Sequence, residues 1–370
     1  MSNQHGARVR VELGERGYDV CIGPRQLDHL AEFVQQQTLR FSRAIIITDD
    51  RVGPLYAARV QAQLEQQGPV SLTQVPAGEA SKSIEQAEGL WETMLGEGAG
   101  RDAMVVGLGG GVVGDLAGFV AATYARGVRF LQVPTTLLAQ VDSSVGGKVG
   151  INLSTAKNMV GAFWQPAGVV IDTDVLVTLP AREYQAGLAE VIKYGVIDDA
   201  AFFEKLESQQ AQIAARDDAI LQEVIARCCE IKAEVVAADE TERSGRREIL
   251  NYGHTFAHAI EALTGYGTWL HGEAVAIGMT CAMEMAVRLG MVERSEADRQ
   301  AALIRALGLP TTMPAPDHER FLEVMRTDKK ARKGQIRLVL SPGIGAVRTV
   351  EIRSAAELRL IEASLNAVSE

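Results

Sequence analysis

The sequence predicts a two-domain protein: an α/β N-terminal domain with a mostly parallel sheet, then a C-terminal domain that is mainly α-helical. Three observations predict it. The chain has 370 residues, too many for one ordinary core, since roughly 100–200 residues make a domain. Short β-branched runs alternate with helical stretches through the first half. The character then changes near Leu179-Pro180, after which Ala, Glu, Leu and Arg dominate. The domains are therefore expected at 1–180 and 181–370, with the cleft between them as the expected site.

Each element has its own signal. Val9, Val11 and Leu13, then Tyr18, Val20 and Ile22, alternate with polar residues around Gly14-Glu-Arg-Gly17, the pattern of a hairpin. Residues 44–48 (AIIIT) read as a buried strand and 55–67 as a helix. A strand at 70–75 is followed by a helix at 81–95, with Ser81 as its N-cap. A strand at 103–107 leads through a glycine loop into a helix reaching about Tyr124, then a strand at 130–133. The residues after Lys157-Asn158 read as an apolar helix. In the second half, helices are expected at 182–195, 200–206, 219–239, 253–264, 272–289 and 296–307. A strand pair returns at 336–340 and 346–352.

Composition excludes several classes. Lys and Arg number 37 against 47 Asp and Glu, a net charge of −10, so broad nucleic-acid binding is not expected. No uncharged apolar run approaches the roughly 18 residues of a membrane span. The first ten residues contain no apolar segment of signal-peptide type. Cys21, Cys228, Cys229 and Cys281 form no CxxC and read as reduced core thiols of a cytoplasmic protein.

Gly107-Leu-Gly-Gly-Gly-Val-Val-Gly-Asp115 follows a strand and opens a helix. Free N–H groups and the positive end of the helix dipole suit a pyrophosphate there. Gly109, Gly111 and Gly114 satisfy GxGxxG, so the domain is expected to be Rossmann-like; taken alone, a tightly packed turn is the competing account. No acidic residue follows at the usual distance. Asp49, just after the strand at 44–48, is the better ribose candidate. Gly78-Glu-Ala-Ser-Lys82 adds an acid and a lysine after another strand end.

His254 and His258 stand at i and i+4, on one helical face, and such a pair can chelate an ion. His271 follows thirteen residues later. A third histidine and a carboxylate from Glu190, Glu261 or Glu273 would complete an N/O site for Zn²⁺ or a similar ion. Spacing favours His254 and His258; satisfied helix histidines are the competing account. Arg126, Lys148, Lys157, Lys193, Lys232, Arg247 and Lys329-Lys330 are candidates to hold an anion. A nicotinamide, a divalent ion and an anion clamp together suggest one chemistry: a polarised hydroxyl whose carbon gives up hydride.

Gly78-Glu-Ala-Ser-Lys82, Gly109-Gly-Gly-Val-Val-Gly-Asp115, Val133-Pro-Thr-Thr136 and Val141-Asp-Ser-Ser-Val-Gly-Gly-Lys148 carry a wider resemblance. So do Lys157-Asn158, Gly161-Ala-Phe-Trp-Gln-Pro166, Gly187-Leu-Ala-Glu190-Val-Ile-Lys193, the segment from Leu250 to Glu261, His271-Gly-Glu-Ala-Val and Asp328-Lys-Lys330. From about residue 48 to 345 the chain closely resembles the 3-dehydroquinate synthase family of sugar-phosphate cyclases.

The resemblance implies that Glu190, His254 and His271 bind Zn or Co and that His258 contacts substrate, against the preference from spacing. It implies an NAD site of Asp49, Glu79, Lys82, Gly110, Gly111, Asp115, Thr135, Thr136, Lys148, Lys157, Thr178 and Leu179. Substrate would be held by Asp142, Lys148, Asn158, Lys193, Lys232, Arg247, Asn251, His258 and one of Lys329 and Lys330. Of these, Lys148, Lys193, His258, Asn158, Arg247 and Asp142 would be catalytic. Arg126 resembles an arginine that reaches across a homodimer interface.

The implied reaction converts 3-deoxy-D-arabino-heptulosonate 7-phosphate, a small anionic sugar phosphate, to 3-dehydroquinate and phosphate. It runs by transient NAD-dependent oxidation, β-elimination, re-reduction, ring opening and aldol closure, and makes the enzyme a lyase. Another sugar-phosphate cyclase, a metal-dependent polyol dehydrogenase and a silent nucleotide-binding regulator are the alternatives. Two departures stand out: Arg51, where Asn is common, and Leu153-Ser-Thr-Ala156 in place of His-Pro-Leu-Gly.

Overall fold

The computed structural model describes residues 6–265, 267–327 and 335–370, with only the backbone of Thr327. Its contacts divide the chain into two compact units. The first comprises the chain up to Leu179 together with Asp218–Thr241, and the second comprises Pro180–Asp217 and Glu242–Glu370.

The first unit contains β1 (Ala7–Val11), β2 (Tyr18–Gly23), α1 (Leu30–Gln36), β3 (Ala44–Asp49), α2 (Gly53–Leu64), β4 (Val70–Val75) and α3 (Ile84–Gly96). It continues with β5 (Met104–Gly109), α4 (Gly111–Thr123), β6 (Arg129–Pro134), β7 (Lys148–Leu153), β8 (Ala156–Phe163) and β9 (Gly168–Asp172). The second unit begins with α5 (Ala181–Ile197), α6 (Ala200–Ser208) and α7 (Gln210–Ala214); α8 (Asp218–Ala238) returns to the first. α9 (His254–Thr264), α10 (His271–Arg288), α11 (Arg294–Ala306), α12 (His318–Thr327), β10 (Ile336–Gly343), β11 (Ala346–Ile352) and α13 (Ala355–Ala367) complete the second.

Seven strands form one sheet in the order β1-β2-β9-β6-β5-β3-β4. Only the expected β1–β2 hairpin is antiparallel; the remaining neighbours run parallel. Side chains along a strand alternate between faces, and here each face has its own core. Ile45, Ile47 and Val105 pack with Leu90 of α3 and Leu116 and Val120 of α4. Ala44, Ile46, Met104 and Val106 pack with Phe33 of α1 and Val60 and Leu64 of α2. Coverage on both faces explains why these strands read as continuous apolar runs. Each such buried side chain contributes about 1.5–3 kcal/mol. The long helix α8 lies against β1 and β2.

Two local expectations are corrected. Lys157 and Asn158 do not precede an apolar helix; they lie in β8, which pairs antiparallel with β7. Val160, Ala162 and Trp164 pack inward beside Val149 and Ile151, while Met159 and Phe163 are exposed, so the period there is two. An isolated apolar run does not distinguish strand from helix; the partner strand decides. The N-cap of α3 is Ser83, whose Oγ accepts from the Gln86 N–H at 3.3 Å. Ser81 belongs to a preceding 3-10 turn and donates to the Pro76 carbonyl at 2.5 Å.

In the second unit, α5 and α10 are buried along most of their lengths. The strand pair near the C-terminus forms in the expected register region, Ile336 opposite Ile352. α13 opens with a capping box in which Ser354 and Glu357 satisfy each other's backbone N–H groups. Among the described residues, no helix is long and apolar enough to cross a membrane. All four cysteines are buried, and none forms a disulfide.

Candidate active site

Three helices of the second unit bring Glu190, His254 and His271 together. Glu190, in α5, is 1% exposed. Lys193, one turn further along α5, forms an ion pair with it. His254 is the first residue of α9. Its Nδ1 lies 3.1 Å from the Tyr252 carbonyl oxygen, which turns Nε2 toward Glu190 Oε1 at 3.4 Å. His271 opens α10 and brings its Nε2 to 3.9 Å from that same oxygen.

One ligand atom from each residue lies within 4.8 Å of the others. Two imidazole nitrogens aimed at one buried carboxylate oxygen are the donor set of a divalent cation with an open position. The chemistry of the set, two imidazoles and one carboxylate, fits such an ion. The other ring nitrogens are also accounted for, since His271 Nδ1 lies 3.6 Å from Glu261 Oε2. Partners of that kind orient a ligating imidazole.

His258 is not among the converging three. Its ring lies 5.9 Å from that of His254, edge-on. The i, i+4 pair favoured by spacing shares a helix face, yet the residue that meets His254 arrives from another helix. Glu273 is engaged elsewhere. Arg182 grips it with two bonds of 2.7 Å, and it accepts from the Leu270 N–H at 2.8 Å.

Glycines let these helices approach. Gly253, at φ +78°, precedes α9, and a side chain there would run into Met279 and the Val275 carbonyl of α10; Gly272 lies directly on the Ala186 carbonyl of α5. A methyl group on Gly272 would overlap that carbonyl. Gly272→Ala is expected to push the start of α10 away from α5, costing about 1–3 kcal/mol or more of stability by overpacking. It should lower metal retention more than secondary structure. Metal analysis beside a thermal melt checks this, and unchanged metal content contradicts it.

The first unit holds the glycine loop. β5 ends at Gly109, Gly110 caps α4, and Thr135 donates its N–H to the Gly109 carbonyl at 2.9 Å, with Thr136 next in sequence. Asp49 closes β3, and its Oδ1 accepts from the N–H groups of Arg51 and Val52 at 2.9 and 2.8 Å. The Thr178 hydroxyl, just before Leu179, is 2.6 Å from the Tyr56 hydroxyl. Lys82 is buried and donates to Asp115 at 2.6 Å and to Asn158 Oδ1 at 2.5 Å, with Glu79 at 3.9 Å. Burial pushes the Asp115 carboxyl above its ordinary value, and the Lys82 charge opposes that rise.

Lys232, on α8, is paired with Asp142 at 2.9 Å and donates to its carbonyl at 2.5 Å. Lys148 begins β7 and Lys157 lies in β8. Arg126 stands in a 3-10 turn at φ +69° after Ala125 at φ +50°. In the second unit, Arg247 is buried in the turn Arg246–Asn251, its Nε 3.6 Å from Glu242. Lys329 and Lys330 lie outside the described residues. One further residue joins the polar cluster around Lys82, and sequence reasoning missed it. Asn152, a polar residue within the apolar run of β7, bonds to Glu79 and Asn158.

Comparison with known proteins agrees with this geometry. Residues 72–186 match the family model described as 3-dehydroquinate synthase N-terminal, and residues 187–331 the model described as 3-dehydroquinate synthase C-terminal. A 3-dehydroquinate synthase from Halorhodospira halophila is 52% identical over 90% of this chain and 93% of its own length. One from Shewanella loihica is 50% identical over 91% of this chain and 94% of its own. Among solved structures, a 2-epi-5-epi-valiolone synthase from Streptomyces hygroscopicus with NAD⁺ and Zn²⁺ bound superposes with a TM-score of 0.85 at 29% identity. That match covers 95% of this chain and 96% of the other. A glycerol dehydrogenase from Sinorhizobium meliloti, at 18% identity and a TM-score of 0.62 over 94% and 97% of the two chains, shares the fold.

Proposed function

The chain belongs to the 3-dehydroquinate synthase family, and from that premise we infer that it carries out the family's reaction. It converts 3-deoxy-D-arabino-heptulosonate 7-phosphate to 3-dehydroquinate and phosphate, as a lyase. The observation that carries this reading is the convergence of Glu190, His254 and His271 around one buried carboxylate oxygen. Glu190, His254 and His271 would hold a Zn²⁺ or Co²⁺ ion, which would supply Lewis-acid chemistry at a substrate hydroxyl, and the glycine loop would hold NAD⁺, which would supply reversible hydride transfer with no net redox change.

Each unit supplies its own residues. The sheet unit binds the dinucleotide: the N–H groups at Gly110 and Gly111 on the pyrophosphate, Asp49 on ribose hydroxyls, and Glu79, Lys82, Asp115, Thr135, Thr136, Thr178 and Leu179 along the rest. Lys148, Lys157 and Asn158 hold substrate oxygens there, and Lys232 keeps Asp142 oriented to do the same. In the helical unit Glu190, His254 and His271 hold the ion. Lys193 neutralises part of the Glu190 charge and donates to the substrate hydroxyl, while His258 accepts that hydroxyl's proton. Arg247 and Asn251 hold the substrate carboxylate, with Lys330 beside them. The buried Arg247 favours this substrate over that of a cyclase acting on a neutral sugar ring.

The phosphate that leaves takes the neighbouring carbon's proton with it, so no further side chain is needed as base. Arg126 completes the site of a second copy in a homodimer, and the enzyme works in the cytoplasm. The test is turnover of the heptulosonate phosphate with less NAD⁺ than substrate. Stoichiometric phosphate release without NADH accumulation is expected, and steady accumulation of NADH overturns the reading.

A further inference from the structure

Asn152 carries none of the roles assigned above, yet every polar group it offers on this side of β7 is committed. Its backbone N–H donates to the Lys82 carbonyl at 2.7 Å. Its side-chain Nδ2 donates to Glu79 Oε1 at 2.7 Å, and its Oδ1 accepts from the Asn158 N–H at 2.9 Å. The partners dictate the orientation of the amide. A carboxylate only accepts and a backbone N–H only donates, so Nδ2 must face Glu79 and Oδ1 must face Asn158. Aspartate has the same shape but lacks the donor that Glu79 requires.

The residue at the far end is strained. Asn158 sits at φ +55°, in the left-handed region that Asn tolerates better than most residues. Nearby, the β7–β8 register slips between Ile151 and Leu153, and Leu153 opposite Ala156 closes a two-residue turn through Ser154 and Thr155. Little in so short a hairpin dictates that backbone conformation. Two bonds to Asn158 do: its N–H to Asn152 and its side-chain oxygen to Lys82. The turn bearing Glu79 and Lys82 is thus tied to the hairpin bearing Lys157 and Asn158 by the Asn152 side-chain amide, the Asn152 backbone N–H and the Lys82 ammonium.

We propose that Asn152 is a positioning residue for the reaction: it locks the cofactor turn Glu79–Lys82 to the substrate hairpin at Asn158, so that the two sets of contacts are aligned before substrate arrives. This rests on the assignment of Asn158 to substrate and of Glu79 and Lys82 to the dinucleotide. Misplacement of about 1 Å in such a contact can cost on the order of 100-fold in rate.

The experiment is a charge-swap cycle on the full chain. Asn152→Asp opposes Glu79 with a second carboxylate. It should lower kcat/KM for the heptulosonate phosphate at saturating NAD⁺ by about 10–100-fold. Glu79→Gln supplies a donor, so adding Asn152→Asp to Glu79→Gln should cost less than about threefold, a coupling that the cycle isolates. A purely structural asparagine would lower Tm in both backgrounds with no such reversal. Asn152→Ala, which introduces no charge conflict, serves if the aspartate variant does not fold, and the same 10–100-fold loss is expected of it. Wild-type kinetics in the Asn152 variants, or equal losses in the two Glu79 backgrounds, overturns the proposal. Asn158→Ala run alongside separates the two levels. Wild-type kinetics there overturns the substrate assignment itself, whereas a crippled Asn158→Ala beside unaffected Asn152 variants overturns this inference alone.

Discussion

His271→Ala should leave a folded protein that neither retains a divalent ion nor turns over substrate. His271 opens α10 with 38% of its side chain exposed, so its removal takes little from the core and the melting temperature should move little. The loss of binding is another matter. Among the described residues, three protein ligands converge on the site, and the two nearby carboxylates are engaged elsewhere. Glu273 is committed to Arg182 and the Leu270 N–H, and Glu261 faces the other nitrogen of His271. Removing an outer-shell partner typically costs 10–100-fold, so loss of a direct ligand should cost on the order of 10³-fold or more in kcat. Metal analysis, a melt and turnover on one preparation decide it. A metal-replete, active variant would refute the ligand assignment.

Lys148→Ala should separate substrate from cofactor. Lys148 follows Gly146 and Gly147, both at positive φ (+107° and +69°), and its backbone begins β7 opposite Phe163. The side chain is exposed, so the substitution should leave the fold intact. Truncating one partner of a charge-assisted pair with a phosphate costs about 2–5 kcal/mol, which is about 30- to 5000-fold in kcat/KM at about 1.4 kcal/mol per tenfold. The dissociation constant for NAD⁺ should change little, because the pyrophosphate contacts arise from the start of α4. Lys148→Arg should not restore the rate: a flat guanidinium does not fit where a compact ammonium is held. Parallel loss of NAD⁺ affinity and activity would show that the lysine serves the cofactor first.

Much of the fold was legible because burial writes a period into sequence. The runs at 44–47 and 103–107 are apolar at every position, as strands covered on both faces must be, and they lie in β3 and β5. The segment around Lys157 misled for the converse reason. From Met159 to Trp164 nearly every residue is apolar, on the exposed face as well as the buried one, so the sequence shows no period of two, and no partner strand is visible in a one-dimensional reading. The metal set divides in the same way. Clustering of three histidines within eighteen residues flagged a site; spacing then favoured His254 and His258, whereas the family resemblance implied His254 and His271. The geometry brings His271 to Glu190, because Gly272 lets the first turn of α10 rest on the Ala186 carbonyl of α5.

The sequence by itself determined the α/β-then-helical organisation, the glycine loop at a helix start, and the chemical class of the site. These follow from local patterns: periodicity, turn residues, and donor types that only certain ligands satisfy. Tertiary structure alone decided that α8 returns to the sheet unit and that Asn152 joins two loops far apart in the chain. Such facts depend on which helices and hairpins touch. Contact is set by shape complementarity summed over whole elements, and no window of sequence contains that sum.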